Sequence, residues 1–256
     1  MNLAWTGFQF HLSKLLKERR VMKIIQFASK ILYLELPTLG LSVLPAWYKK
    51  AKARKHGESF PLDLDGRATA TFKACMPLLD SFTSGYFFTL PQDLQVRQLN
   101  GVAQINWSGE NEPIKIRDGT HTSPDSVPAG YSGKAWVWIN NVITKLPSGY
   151  SLIVCHPMNR YDLPFITMSS IVDADEIMHE GKIPFYLKEG FEGIIKKGTP
   201  IFQVIPFKRE HWKSEKNDSL IGQAEKNRYN VRAQLEGWYK KNIWKKKVFN
   251  NGIVKL

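Results

Sequence analysis

SIVDADEIMHEGKIPFYLKEGFEGIIKKGTPIFQVIPF, residues 170–207, holds a Val-Asp-x-Asp step and then apolar runs of strand length, HEGKIPFYLKEG and GIIKKGTPIFQVIPF. Glycine and proline punctuate these runs at the spacing of short strands in sandwiches and barrels. Upstream the same pattern continues through SGYSLIVCHP and KAWVWINNVITKL. Further back, YFFTLPQDLQVRQLNGVAQINW reads as two strands joined at Asn100–Gly101, a strong hairpin cue. No segment of helical period interrupts residues 86–210, which argues against parallel α/β layering. The expectation is a mainly β fold, an antiparallel β-barrel or sandwich, with helical appendages at both ends.

The flanks change character. FKACMPLLDSFTSGY predicts a short helix stopped at Gly85. Residues 22–36 alternate loosely and suit a first strand, and LPAWYKKAKARK reads as a proline-initiated turn and basic connector. In residues 3–20, Trp5, Phe8, Leu12, Leu15 and Leu16 fall at helical spacing among Lys14, Lys17, Arg19 and Arg20. This spacing reads as a short amphipathic helix, suited to a membrane surface or a partner, or in the plainer reading as a helix packed on the body or a poorly ordered extension. After Arg209 the chain turns helical again, and Leu235, Trp238 and Tyr239 share a face expected to pack on the β body. The predicted division is 1–56 (helix, connector and first strand), 57–210 (β domain) and 211–256 (basic C-terminal helix).

Composition narrows the functional classes. Aromatic residues make up 12% of the chain and the formal charge is +13, which suggests a folded protein with an acidic partner. The charge is uneven: residues 1–55 carry eleven Lys/Arg against two Glu, and residues 226–256 carry nine against one. The middle is therefore mildly acidic, and the basic ends are the expected contacts with nucleic acid, a membrane surface or a protein. Cys75 and Cys155 lie in apolar runs and read as buried free thiols of a reducing compartment. The longest apolar window is broken by Lys30, Glu35, Pro37 and Pro45, too soon for a membrane span. A soluble protein of a cytoplasm or a virion is expected, with homo-oligomerisation left open.

Few residues suggest chemistry. His156, His179, Asp173, Asp175 and Glu176 are a weak metal set, because their spacing matches no closed zinc or facial-triad pattern. Cys155 and His156 are strand neighbours and point to opposite faces, so they make no nucleophilic pair. In the tail, Lys240, Lys241, Trp244, Lys245, Lys246 and Lys247 mix rings and cations in the manner of nucleic-acid or partner contacts. Trp136 and Trp138 lie two apart and share one strand face, as core residues do.

Two resemblances bear on function. Ile171-Val172-Asp173-Ala174-Asp175, Gly181-Lys182-Ile183 and Gly198-Thr199-Pro200-Ile201-Phe202-Gln203 resemble the β-clip core of the dUTPase and dCTP-deaminase family. The resemblance implies Asp173 as general base, Asn159, Arg160, Asp175 and Gln203 as ligand contacts, and Mg²⁺ if a nucleotide is bound. Departures stand against shared catalysis. Glu176 replaces the sugar-stacking aromatic, and Pro157-Met158-Asn159-Arg160 lacks the hydroxyls of the family's phosphate loop. More broadly, LPAWYKK, KACMPLLDSFTSGY, TLPQDLQV, GYSLIVCHPMNR and KKGTPIFQVIPFKREHWK occur in the order found in a family of tailed-phage proteins with distant bacterial relatives. That likeness covers nearly all of the chain from residue 24 and implies a phage origin, but carries no activity. The leading expectation is a non-enzymatic phage accessory or virion-associated protein that docks through its basic ends on a phage structural protein or nucleic acid. A nucleotide-hydrolysing relative of dUTPase and a metal-dependent enzyme are the alternatives.

Overall fold

In the computed structural model, which describes residues 22–31, 34–55, 57–117, 127–235 and 237–252, the strand pattern of the sequence is realised as antiparallel ladders. The first strands are β1 (Gln26–Ser29), β2 (Thr38–Leu39), β3 (Tyr86–Thr89), β4 (Leu94–Leu99) and β5 (Val102–Asn106). Next come β6 (Ile114–Ile116), β7 (Tyr131–Ile139), β8 (Val142–Lys145), β9 (Tyr150–Cys155) and β10 (Phe165–Thr167). The last four are β11 (Ser170–Val172), β12 (Lys182–Lys188), β13 (Gly193–Ile195) and β14 (Pro200–Lys208). Four α-helices accompany them among the described residues: α1 (Ala46–Lys50), α2 (Met76–Thr83), α3 (Leu220–Ala233) and α4 (Trp238–Asn242). The helix expected over residues 3–20 lies outside the described residues.

The strands form open sheets in the orders β11-β9-β14-β3-β2, β10-β12-β7-β6, β13-β4-β5 and β1-β8. The barrel expectation is corrected here, because the sheets do not close on one another. The reason is local: the outer strands β2, β6, β10 and β11 have only two or three residues, too few to carry a ladder around. Register shifts between Tyr186 and Lys188 and between Pro200 and Phe202 interrupt the long central strands and add local twist.

What joins the sheets is a shared aromatic core. Trp138 on β7 stacks on Phe185 on β12 at 3.6 Å and meets Phe165 edge-on at 5.0 Å. Phe88 on β3 stacks on Phe202 on β14 at 4.4 Å. Each such pair adds about 1 kcal/mol beyond its area burial. Trp136 and Trp138 both enter this core, as their shared strand face requires.

The strands and helix described before residue 57 pack on elements that follow them in the chain. β1 pairs with β8, β2 pairs with β3, and Tyr48 of α1 rests on Phe82 of α2 at 4.8 Å. Cys75, expected to be buried, is exposed at the cap position just ahead of α2. Cys155 is buried, and its thiol is pushed up to about 11 by desolvation.

Candidate functional site

β11 runs out at Val172 beside β9, whose Leu152 is its partner, and this register sets Asp173 next to Ser151. The Ser151 hydroxyl donates to Asp173 Oδ1. Two residues on, Asp175 turns inward and its side chain is fully buried, whereas that of Asp173 is 60% exposed. The cation that joins them is Arg209, just beyond the end of β14. Its guanidinium grips both oxygens of Asp175, reaches Asp173 Oδ1 at 3.2 Å and Ser151 Oγ at 3.0 Å. The backbone N–H of Gly149 donates to Asp175 at 2.8 Å, and the Lys145 ammonium donates to its carbonyl. The Arg209 guanidinium, helped by the Gly149 amide, holds the Asp175 carboxyl down to about 2. Arg209 was missed in the sequence, and only its place at the mouth of a strand, level with two aspartates, could have signalled it.

The other implied ligand contacts gather elsewhere. Gln203, buried on β14, accepts from the Met158 amide at 3.0 Å and donates to the carbonyls of Ser81 and Ser84. Asn159 takes a positive φ of 59° and donates to Ser81 Oγ. Arg160 forks onto both oxygens of Asp162 and donates to the Val43 carbonyl, leaving its side chain 12% exposed. His156 accepts at Nδ1 from the Thr167 amide and donates from Nε2 to the Arg160 carbonyl. That pattern defines a neutral ring, and burial lowers its pKa accordingly. Thr167 in turn accepts from the Trp138 indole and donates to Ile201. Each polar side chain of this corner is thus occupied in fastening the loop after β9 to the neighbouring strands and to α2.

The two groups stand at opposite ends of β9. Cys155 faces Gln203 and Ser151 faces Phe207, so four residues, about 13 Å of strand, separate Asp173 from the Asn159–Arg160–Gln203 corner. The three metal candidates are likewise dispersed: His156 is in the corner, Asp175 is under Arg209, and exposed His179 accepts from the Gly181 amide. Among the described residues, no group of three or more His, Cys, Asp or Glu is placed to hold a metal ion.

A cavity of about 210 Å³ lies apart from both, between Ile31, Leu34, Glu35 and Pro37 on one side and the 109–113 loop on the other. Phe88, Val142 and Phe202 form its floor, and Glu35, Glu110 and Glu112 are on its rim. Of these carboxylates, Glu112 is paired with Lys115 at 2.8 Å and Glu35 approaches Lys197 at 3.8 Å.

The basic tail behaves differently from a helix packed on the body. No described residue of 208–252 is buried. The chain leaves the body at Arg209, builds α3 and α4 in solvent, and returns at residues 244–250. There Trp244 donates from its indole to Asp80 Oδ2 at 2.9 Å and Lys247 pairs with the same oxygen at 2.7 Å. Phe249 meets Tyr86 edge-on, and the Tyr86 hydroxyl donates to the Asn250 carbonyl. The expectation that Trp238 and Tyr239 pack on the β body is corrected: they line a cleft facing α3. Gly237, at φ 100°, breaks the helix and folds the two pieces together. Of the six predicted contacts, Trp244 and Lys247 are anchors onto Asp80. Lys240, Lys241, Lys245 and Lys246 are exposed and pair with no carboxylate among the described residues. No helix there is long and apolar enough to cross a membrane.

No family model matches this sequence, and no curated protein is significantly similar to it.

Proposed function

We propose that this chain is a non-enzymatic, phage-encoded accessory or virion-associated protein that holds an acidic partner through its basic C-terminal excursion. One observation carries the reading. The described residues of 210–243 stand off the body with no buried side chain among them, yet the excursion is pinned at both ends. Such a segment contributes little to the core, and its unpaired lysines are positioned for an external polyanion. The separation of Asp173 from Arg160 supports the absence of a hydrolytic centre. The β-clip kinship is part of the proposal, with the scaffold kept and its chemistry given up. Its support is the antiparallel β body and the Asp173–Asp175 step at the exit of β11.

The test is binding of the full chain to a single-stranded oligonucleotide and to polyglutamate at about 50 and 200 mM salt. Reversing Lys240, Lys241, Lys245 and Lys246 to Glu is expected to weaken the bound polyanion by about tenfold or more. No binding of either polyanion by the native chain at low salt, or unchanged binding after reversal, overturns the proposal. The nucleotide reading has one observation in its favour, the exposed Asp173 carboxylate. Millimolar dUTP or dCTP with Mg²⁺ raises the melting temperature by mass action if that reading holds, and leaves it unmoved otherwise.

A further inference from the structure

The α3–α4 hairpin carries a second property that charge alone does not explain. On α3, Leu220, Ile221, Ala224 and Val231 fall along one side of the helix, and all but the alanine are large apolar residues left exposed. Ala224 and Val231 continue into the cleft that faces Trp238, Tyr239 and Ile243 of the second helix and its end. The cleft is about 470 Å³. Its remaining lining among the described residues is Asn227, Arg228 and Arg232, so two cations border an apolar floor, with no acid among those described.

We infer that this cleft receives an acidic amphipathic helix from a partner protein. The inference rests on the proposed function and names the partner class for it. A groove between two helices takes a third by seating an apolar ridge along its floor, the recurrent helix-in-groove mode. α3 has 14 residues, about 21 Å, so about four turns of a partner helix match it. Charge chooses among occupants. A second copy of this hairpin, or the chain's own basic residues 3–20, would bring Lys and Arg against Arg228 and Arg232. A partner helix with carboxylates flanking its apolar stripe meets them favourably. Nucleic acid would use the arginines and lysines but leave the aliphatic floor of Ala224, Val231 and Ile243 unmatched.

The probe is a labelled synthetic peptide of about 16 residues, with Leu at helical i, i+3, i+4 and i+7 positions and Glu elsewhere. It is titrated into the full chain beside a composition-matched scramble, a single-stranded oligonucleotide and vesicles containing anionic lipid. The amphipathic peptide is expected to bind saturably, at least about tenfold tighter than the scramble. Val231→Asp is expected to abolish that binding while leaving oligonucleotide binding unchanged, and Arg228→Glu with Arg232→Glu to weaken it about tenfold and remove its salt dependence. Val231 is already 40% exposed, and an unchanged melting temperature verifies that the body is intact. Equal binding of the scramble, indifference to Val231→Asp, or binding to vesicles in place of the peptide overturns the inference. If the oligonucleotide binds and the peptide does not, the groove assignment fails and the proposed function stands. If neither polyanion nor peptide binds, both fail.

Discussion

Arg209 is the side chain on which most of the acidic end depends. It contacts oxygens from Tyr150, Ser151, Asp173 and Asp175, and the side chain of Asp175 has no exposed surface through which water could replace it. Asp175→Asn removes one charge of a pair whose other member stays in place, a change more damaging than deleting both. The expected loss in melting temperature at pH 7 is on the order of 5 °C. The folded carboxyl sits at about 2, below its unfolded value of about 3.9. Its stabilisation is therefore complete above that unfolded value and fades as pH falls towards the folded one. The gap between Asp175→Asn and the native protein should close over that window in acid unfolding curves. His156 acts in a different window. Its folded pKa is lowered by burial, so the native protein loses stability as pH drops below about 6.5. His156→Gln should flatten that decline below about pH 6.5 without altering the lower transition. In the sequence, Asp173 and Asp175 stood out as a pair, but their partner did not. A carboxylate looks the same in a one-dimensional string whether it faces a substrate or a guanidinium 34 residues away, just past the end of another strand.

Among the elements, the hairpin between β4 and β5 was the most legible. Asn100 and Gly101 both adopt positive φ, 50° and 74°, as a two-residue turn matched to strand twist demands. Gly85 has nearly the same φ, 75°, but a different environment. A Cβ there would stand 2.0 Å from the Val204 carbonyl oxygen, whereas one at Gly101 meets nothing within 4 Å. Gly101→Ala should thus cost about 1 kcal/mol in urea unfolding, the conformational term alone. Gly85→Ala should cost at least about 3 kcal/mol, because β3 and β14 must also separate. Strand identity and facing were readable because alternation and turn residues are local. Sheet closure was not: whether β2 or β11 finds a further neighbour depends on strand lengths and bulges set by distant packing. The C-terminal helix was misplaced for a similar reason. Trp238 and Tyr239 do share an apolar face, but the φ of Gly237 turns it towards α3 instead of the core.

For the whole molecule, the body and the excursion should respond separately to attack. Trypsin is expected to cut first between Lys213 and Arg232, where the backbone is exposed. The nicked halves should still elute together in native gel filtration, because Trp244, Lys247 and Phe249 remain docked on Asp80 and Tyr86. Asp80→Ala combined with Phe249→Ala should release the C-terminal piece, and continued co-elution would show that other contacts hold it. The position of β14 has a consequence for assembly. It is the middle strand of its sheet, between β9 and β3, yet it comes after both in the chain. Nascent or clipped molecules lacking residues 200–208 would therefore display two bare rows of amides and carbonyls, each a template for the neighbouring molecule. Folding has to wait for its keystone, and until that arrives the danger to this protein is less unfolding than its own company.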